Sequence, residues 1–289
     1  MTSAALALAL ALGGAEVRVQ PGSARPGDPV LITVTGVTEA PSGRLGAEEL
    51  TFLPFHAGFQ ALVGLSVEKD PGVLPLEVIV ADDAGRRSIQ GSVDVLPAGF
   101  RRRALTVSKR FTSPSKKDRQ RAERDTKAFA EAFDRDFEPW LFAGDFDWPR
   151  PAELTAPFGD IRLLNGQKTS QHFGLDLDGD TGDPVTAAND GEVVLVRDCF
   201  ASGNTVLLHH GGRLFTAYFH LSKILVKDGE VLKKGQLLGL VGKTGRVTGP
   251  HLHWGVKLDG RWVNGETLLA LRFDEPLEAP ALPSPDAGR

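Results

Sequence analysis

Apolar and polar positions along the chain fall into two β-like regions joined by one helix-like segment. From Glu16 to about Pro97, runs such as "VRV", "PVLITVTGV", "LTFLPF", "ALVGLSV", "LPLEVIVAD" and "SIQGSVDVL" are rich in β-branched and apolar residues. Breaks containing Pro and Gly, such as "PGSARPGDP" and "DPGVLP", separate them, which is the punctuation expected between short strands. "ADDAGRR", Ala81 to Arg87, reads as a hairpin turn between two alternating strands. Short strands at regular spacing predict a small β-sandwich.

The segment "KKDRQRAERDTKAFAEAFDRDFEPW" has a different period. Ala122, Ala128, Phe129, Ala132 and Phe133 recur at helical spacing in a charged background. Ser113 or Ser115 suits an N-cap, Pro114 a first turn, and Pro139 a stop. One narrow apolar stripe predicts a surface helix lying against a domain. From Trp148 to about Phe273 the β-like text returns with abundant Gly, and the closing "DEPLEAPALPSPDAGR" predicts a disordered tail over 274–289. The expected fold is mostly β. It has a sandwich over 16–98, similar in architecture to immunoglobulin-like modules, a linker with a helix over 99–147, and an antiparallel-β domain over 148–273.

Composition narrows the partners. A chain of 289 residues, 41% hydrophobic and 24% charged, suits a soluble globular protein with room for two domains. A net charge of -4 and a single short basic run, Arg101-Arg102-Arg103, argue against nucleic acid, and that run reads as a solvated linker face. The lone cysteine, Cys199, can form no intramolecular disulfide and no thiolate cluster, so any metal site must use His, Asp or Glu. At the N-terminus, the apolar run Ala4 to Leu12 is followed by Gly13-Gly14-Ala15, which suits a cleavable signal peptide over 1–15 although no Lys or Arg precedes Arg18. Export to the periplasm or cell envelope is expected, and a membrane tether only if that leader stays uncleaved.

The seven histidines supply the candidate chemistry. In "GPHLHWGV" a tight turn leads into a strand, where His251 and His253 point to one face, about 6–7 Å apart along the backbone. Alone, such a pair is more often a satisfied core or surface pair than a metal site. In "SQHFGLDLDGDTGDPV", His172 and Asp176 are four apart. The glycines there disfavour a helix, so a bent turn-to-strand segment pivoting at Gly174 must converge the two. An EF-hand beginning at Asp176 fails because Thr181 and Ala187 stand where Gly and Glu are needed, which leaves Asp178 and Asp180 as a solvated acidic turn. His220 continues the alternation Leu214, Thr216, Tyr218. His209-His210 reads as a strand end before a Gly-Gly turn, and His56 as structural. Taken together, His172, Asp176 and one member of the HxH pair offer three ligands and leave a fourth position for water. That is the open form of a catalytic zinc site, with two histidines to spare.

Over about 125 residues, Trp148 to Phe273, the sequence resembles the lysostaphin-type (LytM-like) zinc metallopeptidases of bacterial cell-wall peptidoglycan. The segments that carry the likeness are "APFGDIR", "HFGLD", "GDPVTAANDGEVV", "GNTVLLHHGGRLFTAYFHLS", "VKDGEVLKKGQLLGLVGKTGRVTGPHLHWGV" and "GRWVNGETLL". The resemblance implies His172, Asp176 and His253 as Zn2+ ligands, and His220 and His251 as the catalytic histidines. It implies that zinc acidifies a water, that His251 acts as general base, and that a protonated His220 shares the developing charge with the metal. The implied activity is endopeptidase cleavage of peptidoglycan stem peptides or cross-links. Two other readings are weaker. A biotinyl or lipoyl carrier leaves the histidines unexplained, and a non-catalytic peptidoglycan-binding or hydrolase-activating relative would be expected to have lost ligands.

Overall fold

The computed structural model describes residues 8–12, 14–56, 58–82, 85–166 and 168–273. The expected tail over 274–289 lies outside them. Two five-stranded sheets form the N-terminal part. One runs Leu8–Leu12, Ala15–Gln20, Pro29–Thr35, Gly58–Gly64, Leu53–Phe55, and the other Ser23–Ala24, Gly85–Val95, Gly72–Asp82, Ser42–Leu45, Glu48–Glu49. Alternate residues of both, among them Val17, Val19, Ile32, Val34, Leu76, Val78 and Val93, share one buried cluster. The Gly72–Asp82 and Gly85–Val95 strands pair antiparallel, as the "ADDAGRR" reading requires. Leu8–Leu12, inside the candidate leader, pairs antiparallel with Ala15–Gln20.

The Pro29–Thr35 strand is buried on both faces. Val30, Ile32 and Val34 point into that first cluster, whereas Leu31 joins Phe55 and Leu62 in a second, larger cluster with Leu175, Val206, Tyr218, Trp254 and Val256. A period of two puts successive side chains on opposite faces, so this sheet is shared between the two halves of the molecule. Polar ties reinforce the contact: Asn264 Nδ2 donates to Asp28 Oδ1 at 3.0 Å, and Gln20 Nε2 to the Arg272 carbonyl at 2.9 Å.

An eight-stranded sheet organises the C-terminal half, in the order Leu154–Ala156, Leu175–Asp178, His251–Leu258, Leu214–Leu221, Gly203–His209, Gly191–Cys199, Val231–Leu232, with Arg261–Val263 also paired to His251–Leu258. The helix spans Lys116–Phe133, and the Ser115 side chain caps it by accepting the Asp118 N–H at 3.1 Å. Pro114 stands ahead of the cap, not in the first turn. The helix ends six residues before Pro139, once Phe133 is seated edge-on against Phe215 and Trp262. Its stripe of Phe129, Ala132 and Phe133 covers Leu207, Ala217 and Phe219 on one face of the sheet. No helix of the described residues is long and apolar enough to cross a membrane.

The segment before and after this helix is tied in. Phe142 and Phe146 are buried in the large cluster, and Arg102–Leu105 pairs in parallel with Ile161–Leu164. The arginine run is therefore not a solvated face throughout: Arg101 and Arg103 both pair with Asp160, which is 1% exposed, at 3.1 and 3.3 Å. Cys199 is buried, as expected of a structural thiol.

Candidate metal centre

Two neighbouring strands bring the first residues together. Leu175–Asp178 and His251–Leu258 run antiparallel with Asp176 opposite His253 and Asp178 opposite His251. Leu252, Trp254, Val256 and Leu258 point into the core, so His251 and His253 share the other face. His172 lies between the strands Lys168–Gln171 and Leu175–Asp178, on the bent segment that the glycines predict. Two backbone hydrogen bonds clamp it, His172 N–H to the Asp160 carbonyl at 2.9 Å and Gly159 N–H to the His172 carbonyl at 2.7 Å. Gly174 makes the bend possible. A Cβ there would stand 2.4 Å from His253 Nε2, so a side chain would displace that ring.

Three atoms converge. His172 Nε2 is 2.9 Å from Asp176 Oδ1 and 2.9 Å from His253 Nδ1, and His253 Nδ1 is 2.8 Å from Asp176 Oδ1. His172 Nδ1 is 2.8 Å from the Pro157 carbonyl, which only accepts, so this nitrogen carries the proton and Nε2 offers its lone pair. Three acceptor-capable atoms this close repel unless positive charge stands among them. One proton serves one pair of atoms, whereas a metal cation serves all three. The donor set of two imidazole nitrogens and a carboxylate oxygen is one that zinc accepts, and the carbonyl behind His172 fixes its tautomer as a ligand requires. The residues fit a metal.

Electrostatics favour the same protonation states. Burial alone would raise the Asp176 carboxyl, but the His172 and His253 rings beside it outweigh burial and hold the group well below the usual range. Burial pushes His253 down to about 4 despite the neighbouring Asp176 carboxylate. Arg162, to which the sequence reading gave no role, completes the centre: its Nη2 is 2.6 Å from Asp176 Oδ2, so one carboxylate oxygen is held by the guanidinium while the other faces the ligand cluster. Its position at the end of "APFGDIR" was the available signal.

His220 and His251 flank the cluster. By strand alternation His220 would follow Leu214 and Tyr218 into the core. A β-bulge intervenes, with the register slipping between Asn204↔Leu221 and Val206↔Tyr218, and His220 takes the left-handed φ of 65°. Bulges of this kind re-aim a side chain. The His220 ring lies 5.1 Å from that of His251 and 6.0 Å from that of His253. Its Nδ1–H donates to the Thr244 carbonyl at 2.8 Å, and His251 Nδ1–H donates to the Gly249 carbonyl at 3.0 Å. Both rings thus keep a bare Nε2, and that of His251 is 3.6 Å from Asp176 Oδ1. Burial, with His253 and His251 adding to it, holds His220 well below the usual histidine range. The protonated His220 expected from sequence is therefore disfavoured in the free site. All five residues line one cleft of about 490 Å³. His209 and His210 lie apart from it, and His56 belongs to the N-terminal part.

Residues 170–265, which contain His172, Asp176, His220, His251 and His253, match the model of Peptidase family M23. This chain belongs to peptidase family M23. The chain is 41% identical over 125 residues to the peptidoglycan DD-endopeptidase ShyA of Vibrio cholerae, an alignment covering 43% of this chain and 26% of that one. It is 39% identical over 111 residues to the DD-carboxypeptidase/endopeptidase Mpg of Neisseria meningitidis, covering 38% of this chain and 26% of that one. The chain spans about a quarter of the length of these relatives. The chain is also similar to the crystal structure of a candidate M23 peptidase from Pseudomonas aeruginosa. That match has a TM-score of 0.61 and 28% identity, and covers 85% of this chain and 94% of that one.

Proposed function

We propose that this M23 protein is a zinc-dependent endopeptidase that hydrolyses peptide bonds in bacterial peptidoglycan, at stem peptides or their cross-links. The observation that carries the reading is the convergence of His172 Nε2, Asp176 Oδ1 and His253 Nδ1 to within 2.8–2.9 Å of one another at the base of an open cleft. Relatives described as peptidoglycan DD-endopeptidases support the substrate class.

His172, Asp176 and His253 would hold zinc, which as a Lewis acid polarises a carbonyl and acidifies water. The chain's own groups move the protons. His251, whose Nδ1–H is committed to Gly249, takes the proton of the attacking water at Nε2. His220, committed at Nδ1 to Thr244, begins neutral. It gains positive charge when the proton that His251 has taken from the water passes to its Nε2; there it supports the developing oxyanion, and the same proton then goes to the leaving amine. Arg162 keeps Asp176 oriented throughout.

The substrate lies outside the cytoplasmic membrane, so the reading requires export, with the apolar run Ala4 to Leu12 as the leader. It also takes 16–98 as an immunoglobulin-like unit and 148–273 as the peptidase unit. The test is to measure zinc per protein and to incubate purified sacculi with wild type and with His253→Ala, identifying released fragments by mass spectrometry. Stoichiometric zinc and fragments from wild type alone are expected. Equal release by the variant, or no release by zinc-loaded wild type, overturns the reading.

A further inference from the structure

Three arginines line the cleft, and two are already neutralised. Arg103 pairs with the buried Asp160 at 3.3 Å, and Arg162 with Asp176 at 2.6 Å. Arg246 differs. Its backbone N–H donates to the Ala201 carbonyl at 2.7 Å, but its guanidinium makes no hydrogen bond or ion pair among the described residues. Asp178, the remaining carboxylate of the cleft, is exposed and does not reach it. Desolvation, with the like charge of Arg162, pushes the Arg246 pKa down. A half-buried cation without a counter-charge, next to a second cation, costs the free protein stability.

The loop that carries it is not a loose one. Thr244, two residues earlier, accepts the His220 Nδ1–H through its carbonyl, and Gly249, three residues later, accepts that of His251. Asn204 N–H donates to Thr244 Oγ1 at 2.9 Å. Gly245 has φ +75°, and a Cβ on it would stand 2.4 Å from Gly203 N and 2.5 Å from the Ala201 carbonyl oxygen. Arg246 is thus fixed by the same loop that sets the two proton-handling histidines, and it faces the same cleft.

We infer that Arg246 anchors a free carboxylate of the substrate peptide close to the bond that is cut. The inference rests on the peptidase reading and deepens it by naming a substrate class. The preferred peptides keep a carboxylate on the residue released as the amine, as a D-Ala-D-Ala terminus does, or a cross-link whose amide nitrogen sits on a carboxylate-bearing carbon. A chain-internal glycine bridge has no such group, because that carboxylate is used up in the next amide. A guanidinium fork matches a carboxylate with two parallel hydrogen bonds, and the ligand brings the counter-charge that the protein withholds.

The test uses the full-length protein, a synthetic peptide ending in D-Ala-D-Ala as the free acid, and the same peptide as its C-terminal carboxamide. With zinc loaded, wild type should favour the acid by about 10–100-fold in kcat/KM, the range of a charge-assisted pair. Arg246→Gln should bring the acid-to-amide ratio close to one, and Arg246→Lys should recover part of it. Calorimetric binding to metal-free protein should show the same loss of acid preference in Arg246→Gln. That variant should also melt no lower than wild type, because it removes an unpaired charge. Equal handling of acid and amide by wild type, an unchanged ratio in Arg246→Gln, or a lowered melting temperature with both peptides weakened alike overturns the inference. The peptidase reading fails separately, if zinc-loaded wild type cuts neither peptide nor sacculi. The calorimetric comparison then still decides the role of Arg246.

Discussion

Two histidine pairs lie on or at the end of strands in the same eight-stranded sheet, and only one joins a cluster that can hold a metal. His209 and His210 are adjacent, so they point to opposite faces. His209 stacks on Phe215 with ring centroids 4.8 Å apart, whereas His210 is held between the Asp190 carbonyl at 2.6 Å and Thr216 Oγ1 at 2.8 Å. The carbonyl takes the Nδ1–H, and the hydroxyl donates to Nε2, so His210 has no lone pair left for an ion. His251 and His253 are two apart and share a face, and His253 lies opposite a carboxylate. His209 and His210 are fully buried, whereas His251 and His253 are only half-buried and line the cleft. What separates strut from ligand is where the second nitrogen points: toward a hydroxyl that satisfies it, or toward other lone pairs that only a cation can reconcile.

That distinction can be broken in order of size. Asp176→Asn should abolish stoichiometric zinc and reduce fragment release from sacculi by roughly 10³-fold or more, as loss of a member of a catalytic unit does. Zinc retention in this variant, read by elemental analysis, would remove the carboxylate from the explanation. His210→Ala should do the opposite. Urea denaturation should show a loss of about 2–4 kcal/mol, from the cavity and from the partners left unpaired, with zinc content unchanged. Arg162→Gln should weaken zinc about 10–100-fold, the usual cost of removing a group that orients a ligand, while stability changes little. A competition titration with a chelator measures it.

The smallest effect is in pH. Burial pushes both His209 and His210 down to about 4 from the ordinary 6.5. The unfolded chain therefore binds more protons than the folded one between those values, and stability rises with pH across that window and is lost as pH falls through it. For the fully buried His210, moving from pH 7 to 5 should cost about 1–2 kcal/mol. Denaturation of metal-free protein at the two pH values should show it, and His210→Asn should flatten the slope.

Much of this was legible in the sequence because its causes are local. Alternation marks the strands, helical spacing marks Lys116–Phe133, and two residues along a strand place His251 and His253 on one face. The glycines around His172 correctly exclude a helix for the HxxxD spacing. What could not be read depends on partners far away in sequence. The bulge that turns His220 toward the site is a register slip against Gly203–His209, and nothing in "YFHLS" announces it. Arg162 reaches Asp176 from a different sheet. The arginine run looks solvated until Asp160, buried and needing counter-charge, is placed beside it.

The chain between the two β regions has a consequence for how far this catalytic sheet is portable. Phe129 packs edge-on against the ring of Phe219, on which His253 stacks at 5.2 Å with the planes 2° apart, and Phe142 and Phe146 fill the core beneath. Arg102–Leu105 adds a strand beside Arg162, and Arg103, Leu105 and Val107 form a wall of the cleft. A piece excised at Trp148, where the family-like text resumes, would leave all of this behind. The unit that can be inherited, shuffled or grafted intact is therefore longer than the unit that can be recognised.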